Sequence, residues 1–122
     1  MDIQFDPEKA NQEVKQTAQE LVAIGERIIE HYAILQLAEA EMIDAEAAAS
    51  DDFFYAQHEK KIPVSAMREW LKMRTALQRK ALINAEIDLK RDKQLYDMKT
   101  EWLNAIKFSF KIKESEANNT NL

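Results

Sequence analysis

The chain has 122 residues and a net charge of −5, with 46% hydrophobic and 32% charged residues. This composition supplies enough apolar material for one folded domain and too much for a disordered chain. Cysteine is absent, which excludes disulfides and thiolate metal sites, and a single glycine leaves almost no scope for a phosphate-binding loop.

The first residues, Met-Asp-Ile-Gln-Phe-Asp, lack the basic start and apolar stretch of a signal peptide. No apolar run approaches the roughly 18 residues that a membrane span requires. We therefore expect a cytoplasmic protein with no membrane association.

The first long element is predicted to be a helix from about residue 7 to residue 49. Asp6 can cap its free amides, Pro7 suits the first helical position, and Glu8 suits the positive end of the helix dipole. Beyond this start, apolar residues recur every seven positions, and a parallel row stands three positions later. Such a repeat indicates a coiled-coil-like seam, made on this helix by Val14, Leu21, Ile28, Leu35, Met42 and Ala49. Val22, Ile29 and Ile43 form a second apolar row beside it.

Residues 50–63 are predicted to form a short tip segment. Ser50-Asp51-Asp52 resembles a break followed by a new cap, and Pro63 disfavours helix at the preceding residue. Three adjacent aromatic residues cannot all point inward from one helical turn, so at least one of Phe53, Phe54 and Tyr55 is expected near the surface.

A second helix is predicted from about residue 64 to residue 106. Its sevenfold row contains Leu82, Leu89, Tyr96, Leu103 and Phe110. The wholly polar stretch 90–94 indicates a stutter or a bend in the stripe.

Residues 106–113 alternate between apolar and polar side chains, which leaves a helix or a short β-strand open. Residues 2–6 alternate as well, so the strand alternative pairs the two ends as short terminal strands. Residues 114–122 are polar and are predicted to be a disordered tail.

Charge favours an antiparallel arrangement of the two helices. Residues 1–50 contain 11 acids against 3 bases, whereas residues 63–113 contain 12 bases against 6 acids. Opposite charges attract when such helices fold back on each other. We therefore expect an all-α, single-domain helical hairpin covering residues 1–113.

A lone hairpin of this length leaves apolar rows uncovered. Two hairpins joining into a four-helix bundle would cover them, so we expect a homodimer. The residues expected to form the self-association seam are Val14, Leu21, Ile28, Leu35, Met42, Leu82, Leu89, Tyr96 and Leu103. Bends at Gly25 and near Lys90, folding one chain into a compact bundle, are the alternative.

The leading functional hypothesis is a non-enzymatic protein–protein interaction module, such as an adaptor, chaperone or inhibitor. Its partner-binding candidates are the aromatic residues and a cluster of acids, namely Phe53, Phe54, Tyr55, Glu39, Glu41, Asp44 and Glu46. No catalytic or cofactor-binding residue is predicted. The acids lack the repeated Glu-x-x-His pattern of a di-iron site, and His31 has no second histidine nearby, so no metal site is expected either.

The alternative hypothesis is a nucleic-acid accessory protein of the recombination or replication type. It would use the basic side of the second helix, where the candidates are Arg68, Lys72, Arg79, Lys90, Arg91 and Lys93. Interspersed acids and the nearby acidic first helix argue against it.

Overall fold

The computed structural model describes residues 6–120, and the side chains of residues 6–118. This part of the chain contains three α-helices and one 3-10 turn, and it contains no strand. Helix α1 spans Pro7–Lys60, α2 spans Met67–Arg74 and α3 spans Ala76–Thr120, while the 3-10 turn is Val64–Ala66. The predicted all-α class is confirmed for these residues.

The start of α1 is the one that the sequence predicts. The Asp6 carboxylate accepts hydrogen bonds from the backbone amides of Glu8 and Lys9, at 3.0 and 3.4 Å. The Asp6 carbonyl also accepts from the amide of Ala10 at 3.0 Å. These bonds satisfy amides that have no partner inside the helix, so they stabilise the first turn.

The end of α1 differs from the prediction. The helix does not break at Ser50-Asp51-Asp52 but runs on to Lys60. Phe53 lies four residues beyond buried Ala49 and is itself fully buried, so the buried stripe continues through the expected break. The helix ends where Lys61 takes a left-handed conformation with φ of 52°, two residues before Pro63.

The second predicted helix is divided in two at Thr75. The backbone amide of Thr75 and its hydroxyl both donate to the Leu71 carbonyl, at 3.0 and 2.7 Å. Thr75 has φ −111° and ψ 14°, and its side chain is fully buried. The break in the second predicted helix therefore lies at Thr75 and not at residues 90–94. The alternative bends at Gly25 and near Lys90 are not found, because α1 is continuous through Gly25 and α3 is continuous through Lys90.

The C-terminal end decides one open alternative and corrects one expectation. Of the helix and the strand left open for residues 106–113, the structure has the helix, because α3 extends to Thr120. Ile106 and Phe110 are half-buried four residues apart while Phe108 is exposed, which is a helical and not a strand pattern. Residues 114–120 are helical instead of a disordered tail, and Lys113 forms an ion pair with Glu116 at 3.6 Å. Residues 2–5 of the expected N-terminal strand at 2–6, and residues 121–122 of the tail, lie outside the described residues.

The chain divides into two compact units. Unit 1 combines Met1–Ile28 with Arg91–Leu122. Its contacts pair Arg27 with Asp92, Gly25 with Tyr96, and Glu20 with Lys99. As the residue number falls along α1, the number of the contacting residue rises along α3, so the two segments of this unit run antiparallel. Thr17, Ile24 and Asp92 are its buried side chains.

Unit 2 is the continuous segment Ile29–Lys90. Buried positions on its part of α1 follow the spacing of three and four residues that a packed helical stripe requires. The buried side chains of this unit are Ala38, Met42, Ala49, Phe53, Thr75, Ala85 and Leu89.

Candidate functional site

The nine residues of the predicted seam are largely covered within a single chain. Met42 and Leu89 are buried, and Tyr96 is the one exposed member. The other six are half-buried, namely Val14, Leu21, Ile28, Leu35, Leu82 and Leu103. Apart from Tyr96, the large apolar side chains exposed among residues 6–118 therefore belong to other rows.

Two ion pairs hold α1 against α3 in unit 1. The Arg27 guanidinium donates to the Asp92 carboxylate at 2.8 Å, where the Asp92 side chain is 8% exposed and that of Arg27 is 50% exposed. The Lys99 ammonium lies 2.6 Å from the Glu20 carboxylate. The hydrogen bond from Lys99 lowers the pKa of the Glu20 carboxyl, because it stabilises the charged form.

Sequence reasoning did not assign Asp92 and Lys99 to the packed stripe. Both stand three residues after a member of the sevenfold row, Leu89 and Tyr96, which is the spacing that the seam partners of α1 follow. That spacing was the available signal. It was obscured because the residues at these positions are charged, and charged residues are seldom buried without a partner.

The aromatic segment has one buried and two exposed members. Phe53 is fully buried and packs edge-to-face on Trp70, with ring centroids 5.8 Å apart. The Trp70 indole donates to the Ala49 carbonyl at 3.0 Å, and the Arg74 guanidinium lies 4.3 Å from the centre of its ring. Phe54 and Tyr55 are 57% and 69% exposed. Phe53 thus belongs to the packing of unit 2, whereas Phe54 and Tyr55 lie on its surface.

The charged candidates lie on the surface of the described residues. The acids Glu39, Glu41, Asp44 and Glu46 are all exposed. Five of the six bases are exposed as well, and Arg79 is half-buried; the exposed five are Arg68, Lys72, Lys90, Arg91 and Lys93. Within residues 6–120 none of these acids and bases forms an ion pair. The acid-and-base pairing that charge predicts between the helices is therefore seen at Arg27–Asp92 and Lys99–Glu20 in unit 1, and it does not involve these ten candidates within residues 6–120.

The described residues show no constellation for metal binding. Among residues 6–120 no group of three His, Cys, Asp or Glu side chains is placed to hold a metal ion. His31 is half-buried on the stripe of α1, as its spacing predicts.

A shallow groove of about 340 Å³ lies in unit 1. Val14 and Phe110 supply apolar surface, and two lysines stand beside it. Its lining residues are Asn11, Val14, Lys107, Phe110, Lys111 and Glu114. The set contains neither a histidine nor a hydroxyl nucleophile, so these six residues do not provide a nucleophile with an adjacent base.

Comparison with known proteins adds no relative. No protein-family model matches the sequence. No match is found among curated proteins, and none among solved structures. Along residues 6–120 no helix has both the length and the apolar character needed to cross a bilayer.

Proposed function

We propose that this protein is a non-enzymatic helical interaction module that acts by docking on a macromolecular partner, as an adaptor, chaperone or inhibitor does. The observation that supports the proposal is the exposed aromatic pair Phe54 and Tyr55. It directly follows the buried Phe53, which Trp70 holds in place. Aromatic side chains on a fixed backbone bind at a low entropic cost, and they are enriched among the residues that dominate binding energy.

The proposed architecture is an antiparallel helical hairpin that pairs with a second copy to form a four-helix bundle. Support comes from the antiparallel contacts in unit 1 and from the large apolar side chains that stay exposed in unit 2. Burying such side chains against a second copy stabilises the assembly by roughly 25 cal/mol for each Å² of apolar surface removed from water. The expected location is the cytoplasm.

Capture of a partner tests the docking proposal. The wild-type chain, immobilised in its folded form, is exposed to a native lysate of the source cells beside a variant carrying Phe54→Ser and Tyr55→Ser. We expect a protein that wild type retains and the variant does not, with affinity lowered by about 30-fold or more if the pair is a binding hot spot.

The matched control for this experiment is Phe108→Ser. Phe108 is 66% exposed, which is close to Phe54 and Tyr55, but it lies in unit 1. Retention of the same proteins by wild type and by both variants would contradict the docking proposal, as would retention of none above background.

The second candidate function is nucleic-acid binding. The observation in its favour concerns the six candidate bases of α2 and α3, none of which forms an ion pair within residues 6–120, namely Arg68, Lys72, Arg79, Lys90, Arg91 and Lys93. Against it, the exposed acids of α1 are also unpaired there, and they would repel a polyanion. Anisotropy of labelled single- and double-stranded oligonucleotides tests it. Binding that weakens steeply with salt, and that is lost with Arg68→Glu and Lys72→Glu, would favour this function over protein docking.

A further inference from the structure

The exposed face of α1 in unit 2 carries a second stripe beside the packed one. Its members each follow a stripe residue by one position, so they are rotated by roughly 100° around the helix. They recur at intervals of three and four residues, which places them on one strip of the surface. This acidic strip consists of Ile29, Tyr32, Gln36, Glu39, Ile43 and Glu46, all of them exposed.

The acidic strip combines apolar side chains with carboxylates. Ile29 and Ile43 are 72% and 65% exposed. Glu39 and Glu46 stand four residues before and three residues after Ile43. An occupant of this strip therefore needs an apolar centre with positive charge on either side.

The part of α3 in unit 2 carries that pattern. Lys80, Ile83, Ile87 and Lys90 recur at intervals of three, four and three residues and are all exposed. This basic strip has two isoleucines at its centre and one lysine at each end. Neither its lysines nor the two glutamates of the acidic strip form an ion pair within residues 6–120.

The charge of unit 2 is divided between its elements in the same way. Residues 29–60 contain 8 acids and 1 base, whereas residues 61–90 contain 7 bases and 3 acids. The acidic strip of one copy and the basic strip of another are thus complementary in charge. A twofold axis brings α1 of one copy onto α3 of the other and repeats that contact in reverse, which closes the assembly at two copies.

We infer that a second copy of this chain is the occupant, with the acidic strip of each copy packed on the basic strip of the other. The inference rests on the dimer named under the proposed function and specifies which surfaces form it. Phe54 and Tyr55 are not members of either strip, and Phe54, which follows the buried Phe53, lies eight residues beyond Glu46 on the same side of α1.

Mass measurement by light scattering at micromolar concentration is the first test. Wild type is expected at twice the 14.2 kDa of one chain. Ile43→Glu places a carboxylate between the acids of one strip, and Ile83→Glu disrupts the apolar centre of the other. Both variants should be monomeric, with helical circular dichroism retained. Phe108→Glu, outside both strips, should stay dimeric, and so should the Phe54→Ser and Tyr55→Ser variant.

Exchange of charge between two chains is the sharper test, because it asks for recovery instead of loss. One chain carries Glu39→Lys and Glu46→Lys, and the other carries Lys80→Glu and Lys90→Glu. Each alone sets like charges against each other at both contacts, so each should dissociate at least tenfold more readily than wild type. Their mixture restores opposite charges at both contacts and should form a heterodimer.

The outcomes separate this inference from the docking proposal. A wild-type mass of 14.2 kDa overturns the dimer and the assignment of both strips as its interface. If that monomer instead bound an acidic protein or an oligonucleotide through the basic strip, this ligand and not a second copy would be the occupant of the basic strip. A dimer that is indifferent to Ile43→Glu, to Ile83→Glu and to charge exchange overturns the strips alone. Docking through Phe54 and Tyr55 is decided by the capture experiment, whatever the mass.

Discussion

At the scale of single residues, the only glycine of the chain lies in the interior of the longest helix. Gly25 lies within α1 and is half-buried, and its backbone does not have a positive φ. A Cβ atom built there would lie 4.0 Å from the Tyr96 ring, which is an ordinary van der Waals distance. Neither turn geometry nor crowding therefore requires a glycine at this position.

We predict that Gly25→Ala raises the free energy of unfolding by roughly 0.5–1 kcal/mol. Alanine restricts the unfolded chain and favours helix, while the space beside Tyr96 accepts its methyl group. Urea denaturation followed by circular dichroism measures the change. Ala23→Gly, at an exposed position of the same helix, should shift stability in the opposite direction. A destabilising Gly25→Ala would show that α1 and α3 approach more closely at this point.

Glu20 provides a dependence of stability on pH. Because Lys99 depresses its pKa in the folded chain, the charged carboxylate stabilises the fold above the pKa of the unfolded state. That contribution is lost as pH falls through the folded pKa. We expect Glu20→Gln to be less stable than wild type at pH 6 and to match it at the acid end of the titration. A difference that is constant with pH would contradict this assignment.

At the scale of elements, the two ion pairs of unit 1 specify how α1 and α3 align. Glu20 and Arg27 are seven residues apart on α1, as are Asp92 and Lys99 on α3. A slip of one heptad in one direction would set Glu20 against Asp92, and a slip in the other would set Arg27 against Lys99. Both slips oppose like charges, so the pairs select the register by destabilising its neighbours.

The buried member of these pairs is expected to matter most for stability. Asp92→Asn removes the charge that faces Arg27 and should cost about 1–3 kcal/mol, as breaking a buried charge-assisted hydrogen bond does. Asp97→Asn, an exposed neighbour on the same helix, should stay within about 0.5 kcal/mol of wild type. The double variant Arg27→Leu and Asp92→Leu should recover most of the loss, since an apolar pair replaces the ionic one. Equal stability of the two single asparagine variants would contradict the role of Asp92.

At the scale of the whole molecule, the proposed pairing of two copies predicts that stability depends on concentration. Because a dimer unfolds into two chains, each tenfold rise in chain concentration should stabilise the folded state by about 1.4 kcal/mol. Denaturation midpoints measured at two concentrations a hundredfold apart test this. The midpoint of Ile43→Glu should not move with concentration. A wild-type midpoint that is equally constant would count against self-association.

The sequence by itself determined the helical class, the start of α1 and the packed stripe along α1. These follow from local properties: a capping aspartate before a proline, and apolar residues every seven positions. The predicted break at Ser50 and the predicted bend near Lys90 were wrong, because α1 and α3 are continuous there. Of the helix and the strand left open for residues 106–113, the structure has the helix. Phe53 and Phe110 are stripe residues that lie beyond these local signals and continue the packed side of the helix.

Only the tertiary structure decided which polar and aromatic side chains are covered. Asp92 belongs inside because Arg27 meets it from 65 residues away, and no local pattern of α3 contains that information. Phe53 is buried and Phe54 is not because Trp70 packs on one side of the helix. Burial of a charge or a ring depends on the partner that meets it, and the partner is known only once the chain has folded.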